Sequence, residues 1–189
     1  MNTINKISIA TLIVCSVSSS AAFAQTSSLT SAPIDAWYFM PSASAFMPDS
    51  SFAVGDRGEG AGLTLGKPLS KEWDIQIATK YAHKKANGFN YQQNMLGVDA
   101  LYLFNREQFR PFLLVGAGYQ QDRINSSTDA ISAYSPYANI GLGFQMTLDR
   151  RWGLQLDLRR EQGHLKSDVF DRSRNYNNYV SLGISYTFD

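Results

Sequence analysis

The clearest pattern in this chain is the alternation of apolar and small polar residues near its C-terminal end. From Val180 to Phe188 every second residue is apolar or aromatic, and the residues between them are Ser, Gly or Thr. A strand with this period of two has one apolar face and one small, polar face. Such a strand is typical of a transmembrane barrel, in which the apolar face contacts lipid and the other face lines the lumen.

Seven earlier segments show the same alternation. They are residues 37–46, 60–69, 73–81, 95–104, 112–119, 137–148 and 152–161. Together with the C-terminal strand they make an even count, which closes a single-chain barrel. We therefore predict an all-β fold, an eight-stranded antiparallel up-and-down transmembrane β-barrel formed by residues 36–189. Pro41 lacks a ladder donor, so a bulge or a late strand start is expected there.

The predicted connections alternate in length. Residues 69–72, 105–108 and 149–151 form short turns, whereas 47–59, 82–94, 120–135 and 162–176 form long polar loops. Short turns are expected in the periplasm and long loops outside the cell. Trp37, Trp73 and Trp152 all begin strands on the short-turn side, which predicts an aromatic girdle at the inner interface. Further girdle candidates are Phe104, Phe112 and Phe188 on the inner side, and Phe46, Tyr81, Tyr119 and Tyr137 on the outer side.

The N-terminal segment has the three parts of a secretory signal peptide. Lys6 supplies the positive charge, residues 7–17 the short apolar run, and Ala22-Phe23-Ala24 the small-x-small cleavage site. We expect residues 1–24 to be a signal peptide and 25–35 a periplasmic leader. Cleavage would remove Cys15, which is the only cysteine, so the mature chain would have no thiol chemistry.

Charge and hydropathy exclude several classes of protein. After removal of Lys6 the mature chain has 16 basic and 16 acidic residues. It therefore lacks the excess of basic residues that would indicate nucleic-acid binding. No later window has about 18 continuous apolar residues, which argues against membrane-spanning helices. A lipocalin-like soluble barrel needs apolar residues inside. Here glycines, amides and charges lie opposite the apolar face, which argues against that class.

At this point the chain resembles the OmpA/OmpX-like family of small outer-membrane barrels. The residues that carry the resemblance are Trp37-Tyr38, the segment 110–119 (RPFLLVGAGY), the segment 152–159 (WGLQLDLR) and the terminal strand. Gly183, Tyr186 and Phe188 match the C-terminal signal that the barrel-insertion machinery recognises in such proteins, although Asp189 follows the usual final aromatic. The resemblance implies a bacterial outer-membrane protein, here without the C-terminal peptidoglycan-binding domain of larger members.

Six charged residues fall on the inward face by parity. They are Asp74, Lys80, Asp99, Asp157, Arg159 and Glu161. Because buried charges are costly unless they are paired, we predict a salt-bridge network in the lumen with Arg159 at its centre. An eight-stranded barrel is just wide enough for side chains, which favours a plugged lumen over the alternative, a narrow ion-conducting channel.

An enzyme that modifies lipid A is a further alternative. Glu161, His164 and Ser167 have the residue types of a Ser-His-Glu set. Lipid A deacylases of the PagL type present His-x-Ser on one strand, whereas His164 and Ser167 are three residues apart and would point in opposite directions. We therefore predict a non-catalytic protein with no cofactor and no metal.

The long loops carry basic residues that could bind lipopolysaccharide phosphates. These residues are Arg57, His83, Lys84, Lys85, Arg123, Lys166, Arg172 and Arg174. Acidic loop residues dilute this charge, so ordinary solvated loops are the alternative. The expected partners are outer-membrane lipid, lipopolysaccharide, the insertion machinery and periplasmic chaperones, and the expected state is a monomer. The predicted role is envelope integrity or surface contact through the external loops.

Overall fold

The computed structural model describes residues 36–48, 57–86, 89–125, 130–163 and 175–188. The predicted signal peptide and periplasmic leader lie outside these residues. Among the described residues no helix is long and apolar enough to cross a membrane.

The described residues form eight antiparallel strands that close into one barrel. The strands are β1 (Tyr38–Pro48), β2 (Gly58–Pro68), β3 (Trp73–Ala86), β4 (Phe89–Leu103), β5 (Phe109–Asn125), β6 (Ala130–Thr147), β7 (Trp152–Gly163) and β8 (Asn175–Thr187). Each strand pairs with its neighbours in the chain, and β8 pairs with β1. The predicted fold class is confirmed.

Strand register fixes the geometry of closure. Moving from partner to partner around the barrel gives Tyr38, Gly66, Gln76, Asp99, Gly116, Asn139, Glu161, Asn177 and then Pro48. The path returns to β1 ten residues above its start, so the shear is 10. With the usual strand spacing this corresponds to a tilt of about 40°, within the normal range for barrels.

The strands match the prediction at their inner ends and exceed it at their outer ends. The short turns lie where they were expected, between β2 and β3, β4 and β5, and β6 and β7. The long loops predicted at 82–94 and 120–135 are wrong, because β3 continues to Ala86 and β6 begins at Ala130. The outer parts of these strands mix polar and small residues on both faces, so they lack the alternation that reveals a strand next to lipid.

The expectation of a bulge or late start at Pro41 is also wrong. β1 begins before it, at Tyr38, and Pro41 pairs directly with Leu63 of β2. On the other side, the ladder to β8 stops after Phe39↔Tyr186 and resumes at Ser42↔Gly183 in the same register. The missing donor of proline therefore interrupts one ladder without inserting a residue.

The exterior of the barrel is apolar and the interior is mixed. Leu113, Val115, Leu142 and Leu158 are about half exposed on the outer surface, and Leu96 is exposed at 61%. Asp99, Gln76 and Gln155 are almost completely buried inside. This inversion of the soluble pattern is what a barrel surrounded by lipid requires.

Candidate functional site

Arg159 lies at the centre of the lumen between two carboxylates. Its Nη1 atom is 2.8 Å from Asp99 Oδ2, and its Nε atom is 2.7 Å from Asp157 Oδ1. Asn139 donates to the second oxygen of Asp99 at 2.9 Å. All three charged side chains are at most 4% exposed. The guanidinium of Arg159 thus connects β7 to β4 across the lumen and fixes the barrel interior.

Lys80 and Glu161 form a looser ion pair beside this triad. Their Nζ and Oε1 atoms are 3.9 Å apart, and Glu161 is almost completely buried. Lys80 also lies over the ring of Tyr179, at 5.8 Å from its centroid. Five of the six predicted lumen charges are therefore placed close together, at one level of the barrel.

The sixth, Asp74, lies apart from them. It pairs with Arg106 of the β4–β5 turn, through Nη2 and Oδ1 at 2.5 Å. Arg106 Nε also donates to the backbone oxygen of Lys71 at 2.7 Å. Asp74 thus belongs to a clamp between two periplasmic turns and not to the central network. A cavity of about 30 Å³ lies at this end and is lined in part by Tyr38, Asp74 and Arg110.

A mostly aromatic group of side chains, which we call the aromatic cluster, fills the lumen on the outer side of the charges. It contains Phe46, Ala82, Met95, Tyr137 and Tyr179, with Tyr91 packed against it. The rings of Phe46 and Tyr179 stack with centroids 5.6 Å apart. Phe46 and Tyr137 were expected in the outer lipid-facing girdle, and the structure shows that this is wrong.

A second cluster fills the periplasmic side of the lumen. It is formed by Leu101, Leu103, Phe112 and Leu114, each at most 1% exposed. Phe112 was expected in the inner girdle, and this assignment is also wrong. Gln76 lies at this level too and donates to Tyr38 at 2.8 Å and to Gln155 at 3.0 Å. Side chains therefore occupy the lumen at three successive levels.

The buried rings lie against glycines on neighbouring strands. The directly opposed pairs are Tyr38↔Gly66, Phe46↔Gly58, Phe112↔Gly143 and Tyr137↔Gly118. A Cβ atom at any of these glycines would overlap the opposing ring. This pairing of an aromatic residue with a cross-strand glycine is the sequence signal that identifies inward rings, and it requires the register.

Among the described residues, four strands form an outer wall that extends beyond the ladders on either side of it. We define it as residues 84–86 of β3, 89–93 of β4, 121–125 of β5 and 130–136 of β6. The β2–β3 ladder ends at Glu59↔His83 and the β6–β7 ladder ends at Tyr137↔Gly163, whereas the β5–β6 ladder continues to Asn125↔Ala130. Seven residues of β6 thus pass Gly163, the described end of β7, by about 24 Å along the strand.

The described side chains of the outer wall are mostly polar on both surfaces. Asp122 accepts hydrogen bonds on the inner side from Tyr91, Gln93 and Gln120. On the outer side Gln121 donates to Tyr134 at 2.8 Å. A surface with this chemistry suits water on both sides, so the wall stands outside the membrane. The structure places four residues that were expected in loops in β3 and β5, namely His83, Lys84, Lys85 and Arg123. Lys84 is buried inside the barrel. Outside the described residues lie Lys166, Arg172 and Arg174.

Three tryptophans are exposed at the periplasmic edge, where the girdle was predicted. Trp73 makes an edge contact with Tyr102, and Trp152 makes one with Tyr186, at 5.2 and 5.0 Å between centroids. Trp37 has Lys67 above its ring. Phe104 and Phe188 are exposed at the same edge.

The three residues of the expected insertion signal lie in and beside β8. Gly183 faces the lumen, and a Cβ there would approach the side chain of Met40 at 2.8 Å. The rings of Tyr186 and Phe188 are 5.5 Å apart in an edge contact, and Asp189 lies outside the described residues. Recognition by the insertion machinery stays a prediction.

The candidate catalytic set is not assembled among the described residues. Glu161 points into the lumen beside Lys80 and is shielded from the outer rim by the aromatic cluster. His164 and Ser167 lie outside the described residues. Within the part of the chain that is described, no group of three or more His, Cys, Asp or Glu residues is arranged to hold a metal ion.

Residues 8–188 match the family of the outer membrane protein beta-barrel domain. The chain belongs to this family. It is an outer-membrane protein of the type found in Gram-negative bacteria, which confirms the predicted location and the resemblance to small outer-membrane barrels. No curated protein matches the chain.

Solved structures show the same fold at low sequence identity. Neisserial surface protein A (NspA) has a TM-score of 0.70 at 14% identity and covers 80% of this chain and 97% of its own. The N-terminal barrel of OprF from Pseudomonas aeruginosa has a TM-score of 0.55 at 16% identity, with 80% and 97% covered. Ail, the attachment invasion locus protein of Yersinia pestis, has a TM-score of 0.54 at 14% identity, with 82% and 97% covered.

Proposed function

We propose that this protein is a non-catalytic, non-conducting barrel that acts through its outer wall, in surface contact and in the integrity of the envelope. The filled lumen carries this proposal. Ions would have to pass the apolar cluster on the periplasmic side (Leu101, Leu103, Phe112 and Leu114), the Arg159 triad and the aromatic cluster. The side chains at all three levels are almost completely buried. Moving an ion through such a lumen requires several packed side chains to move together.

The outer wall is the part of the barrel best placed for contact with the surroundings. Its outer surface presents the amides of Gln92 and Gln121 and the ring of Tyr134, which is 72% exposed. Tyrosines and amides provide rigid contact area and adaptable hydrogen bonds, as they do in antibody loops. Lipopolysaccharide and molecules on other cells are the partners that this position favours.

Conductance in planar bilayers tests the closed lumen. Purified monomer is expected to give no steady channel openings at neutral pH. As a positive control, the double variant Phe46→Ala, Tyr179→Ala removes the stacked rings of the aromatic cluster and should raise the frequency of openings. Steady conductance through unmodified monomers would overturn the non-conducting part of the proposal and support the channel.

Lipid A analysis tests the absence of catalysis. Lipid A extracted from cells that express the protein and from cells that lack it should have the same mass spectrum. A mass difference equal to an acyl chain, abolished by Ser167→Ala, would support the lipid A enzyme instead.

Adhesion tests the role of the wall. Cells that display the unmodified protein should adhere more strongly to a surface coated with lipopolysaccharide or host matrix than cells that display Gln121→Ala, Tyr134→Ala at equal barrel abundance. Equal adhesion would show that the outer wall is not the contact surface.

A further inference from the structure

The apolar outer surface of β7 ends at Arg160. The preceding outward residues on this strand are Trp152, Leu154, Leu156 and Leu158, and the next is Gln162. Arg160 is exposed and pairs with Ile140 of β6 and Asn178 of β8. A charged side chain therefore lies on the lipid-facing surface at the upper limit of the apolar band.

The guanidinium of Arg160 extends towards the outside of the cell. Its Cζ atom lies 4.9 Å from the ring centroid of Tyr176. Tyr176 pairs with Gln162, one outward position above Arg160. The aliphatic part of the Arg160 side chain thus lies on the apolar surface, and its guanidinium lies at the more polar level of Tyr176. Arginines behave in this way at membrane interfaces.

The height of this charge agrees with the outer membrane interface. Arg160 is eight residues above Trp152, about 27 Å along the strand, or about 20 Å along the membrane normal at the tilt of this barrel. The apolar band of outer-membrane barrels is about 25 Å tall. A side chain that reaches a few ångströms upward brings its guanidinium to the headgroups.

The periplasmic interface has a similar arrangement, in which the cation is a lysine and not an arginine. Lys67 lies over the ring of Trp37, 5.6 Å from its centroid, at the periplasmic edge. Each edge of the apolar band therefore has one cation held by an aromatic ring. The outer position has the arginine, whose planar fork of donors matches phosphate oxygens in a bidentate manner.

Arg160 has no protein counter-charge in the described part of the chain. No carboxylate there lies within 4.0 Å of its guanidinium. One face of the guanidinium is covered by the Tyr176 ring, while no carboxylate of the described residues contacts its N–H edge. The amide side chains of Asn178 and Gln162 are outward neighbours of the same pair of strands.

We propose that Arg160 and Tyr176, with Asn178 and Gln162 beside them, bind a phosphate of lipid A in the outer leaflet. The occupant is lipid A because the site faces the bilayer laterally at the level of the outer headgroups, where this lipid presents its phosphates. The site deepens the proposed contact with lipopolysaccharide. It lies on β7 and β8, away from the outer wall, so the two proposals can fail separately.

Native mass spectrometry of the full protein in detergent tests this site. The probes are diphosphorylated lipid A, the same lipid A after removal of both phosphates, and phosphatidylglycerol. The unmodified protein should bind diphosphorylated lipid A about tenfold more tightly than Arg160→Leu does, the effect of losing about one charge-assisted contact. Tyr176→Leu should weaken binding less, and Arg160→Lys should retain part of it.

Lys67→Leu is the matched control. It removes one outward cation at the inner interface and should leave lipid A binding unchanged. Heat-modifiable mobility on gels shows that each variant is a closed barrel. Equal binding by Arg160→Leu, equal binding of dephosphorylated lipid A, or equal binding of phosphatidylglycerol would each overturn the proposal. If the outer-wall variant Gln121→Ala, Tyr134→Ala loses adhesion but binds lipid A normally, the proposal for Arg160 stands.

Discussion

The part of the barrel inside the membrane and the outer wall are built from the same strands but follow different rules. Inside the membrane, Leu142 and Leu113 face lipid as neighbours on β6 and β5, while Asn139 and Asp99 face a packed lumen. In the wall, Gln121 and Tyr134 face water, and Asp122 on the opposite surface is hydrogen-bonded. Alternation of polarity therefore reports contact with lipid and not the presence of a strand.

Arg159→Met should have the largest effect on stability, because it leaves the buried carboxylates of Asp99 and Asp157 without their shared partner. The free energy of unfolding should fall by about 3–5 kcal/mol. Urea titration of protein folded in lipid vesicles, followed by tryptophan fluorescence, measures it.

Two controls separate the loss of pairing from the loss of a side chain. Asp99→Asn, Asp157→Asn, Arg159→Met removes all three charges and should recover most of the lost stability. Arg123→Met, on the exposed surface of the outer wall, should change it by less than about 0.5 kcal/mol. Wild-type stability for Arg159→Met alone would mean that the triad is not what fixes the lumen.

The next largest effect is expected when an arginine is introduced on the outward surface, and its cost in free energy of unfolding should differ between the membrane part and the outer wall. Leu142→Arg puts a charge in the apolar band and should cost about 2–4 kcal/mol in the same titration. Gln121→Arg makes a comparable change on the outer wall and should cost about 0–1 kcal/mol. Equal costs would show that the wall is also surrounded by lipid.

Alanine at inward glycines should have an intermediate effect that depends on what the new methyl group meets. At Gly118 a Cβ would approach the backbone, with Gly97 Cα at 2.6 Å, so Gly118→Ala should cost about 1–3 kcal/mol. At Gly163, near the outer end of β7, it would meet the flexible amide of Gln120 at 2.7 Å. Gly163→Ala should therefore cost less, and the reverse order in urea would contradict this packing.

Tyr134→Ala should have the smallest effect on folding. The tyrosine is exposed on the outer wall and accepts one hydrogen bond from Gln121 at the surface. The free energy of unfolding should change by less than about 0.5 kcal/mol. A loss of more than about 1 kcal/mol in the urea titration would show that the wall contributes to the stability of the membrane part.

The sequence predicts the membrane part of the fold well because lipid imposes a regular pattern there. The Trp152–Leu158 alternation on β7 identifies both the strand and its outward face. Parity also places Asp99, Asp157 and Arg159 on one inner face, and the requirement for pairing brings them together.

Other features could not be predicted because they depend on register or on contacts between distant turns. Phe46 and Phe112 are as apolar as lipid-facing residues, and only their cross-strand glycines show that they turn inward. The Asp74–Arg106 pair joins two turns whose proximity follows from closure of the barrel. The strands of the outer wall could not be predicted, because a strand with water on both faces does not need alternating apolar and polar residues.

The interrupted ladder at Pro41 makes the pairing of β1 with β8 the weakest contact between neighbouring strands of the barrel. Among the described residues, every other neighbouring pair of strands is paired without a gap. Between β1 and β8, in contrast, Met40 and Pro41 are not paired with Ser185 and Ile184. Local separation of neighbouring strands should therefore begin where β1 and β8 are unpaired. The backbone amides of β8 opposite Met40 and Pro41 should then exchange with deuterium before those at the same depth in β4.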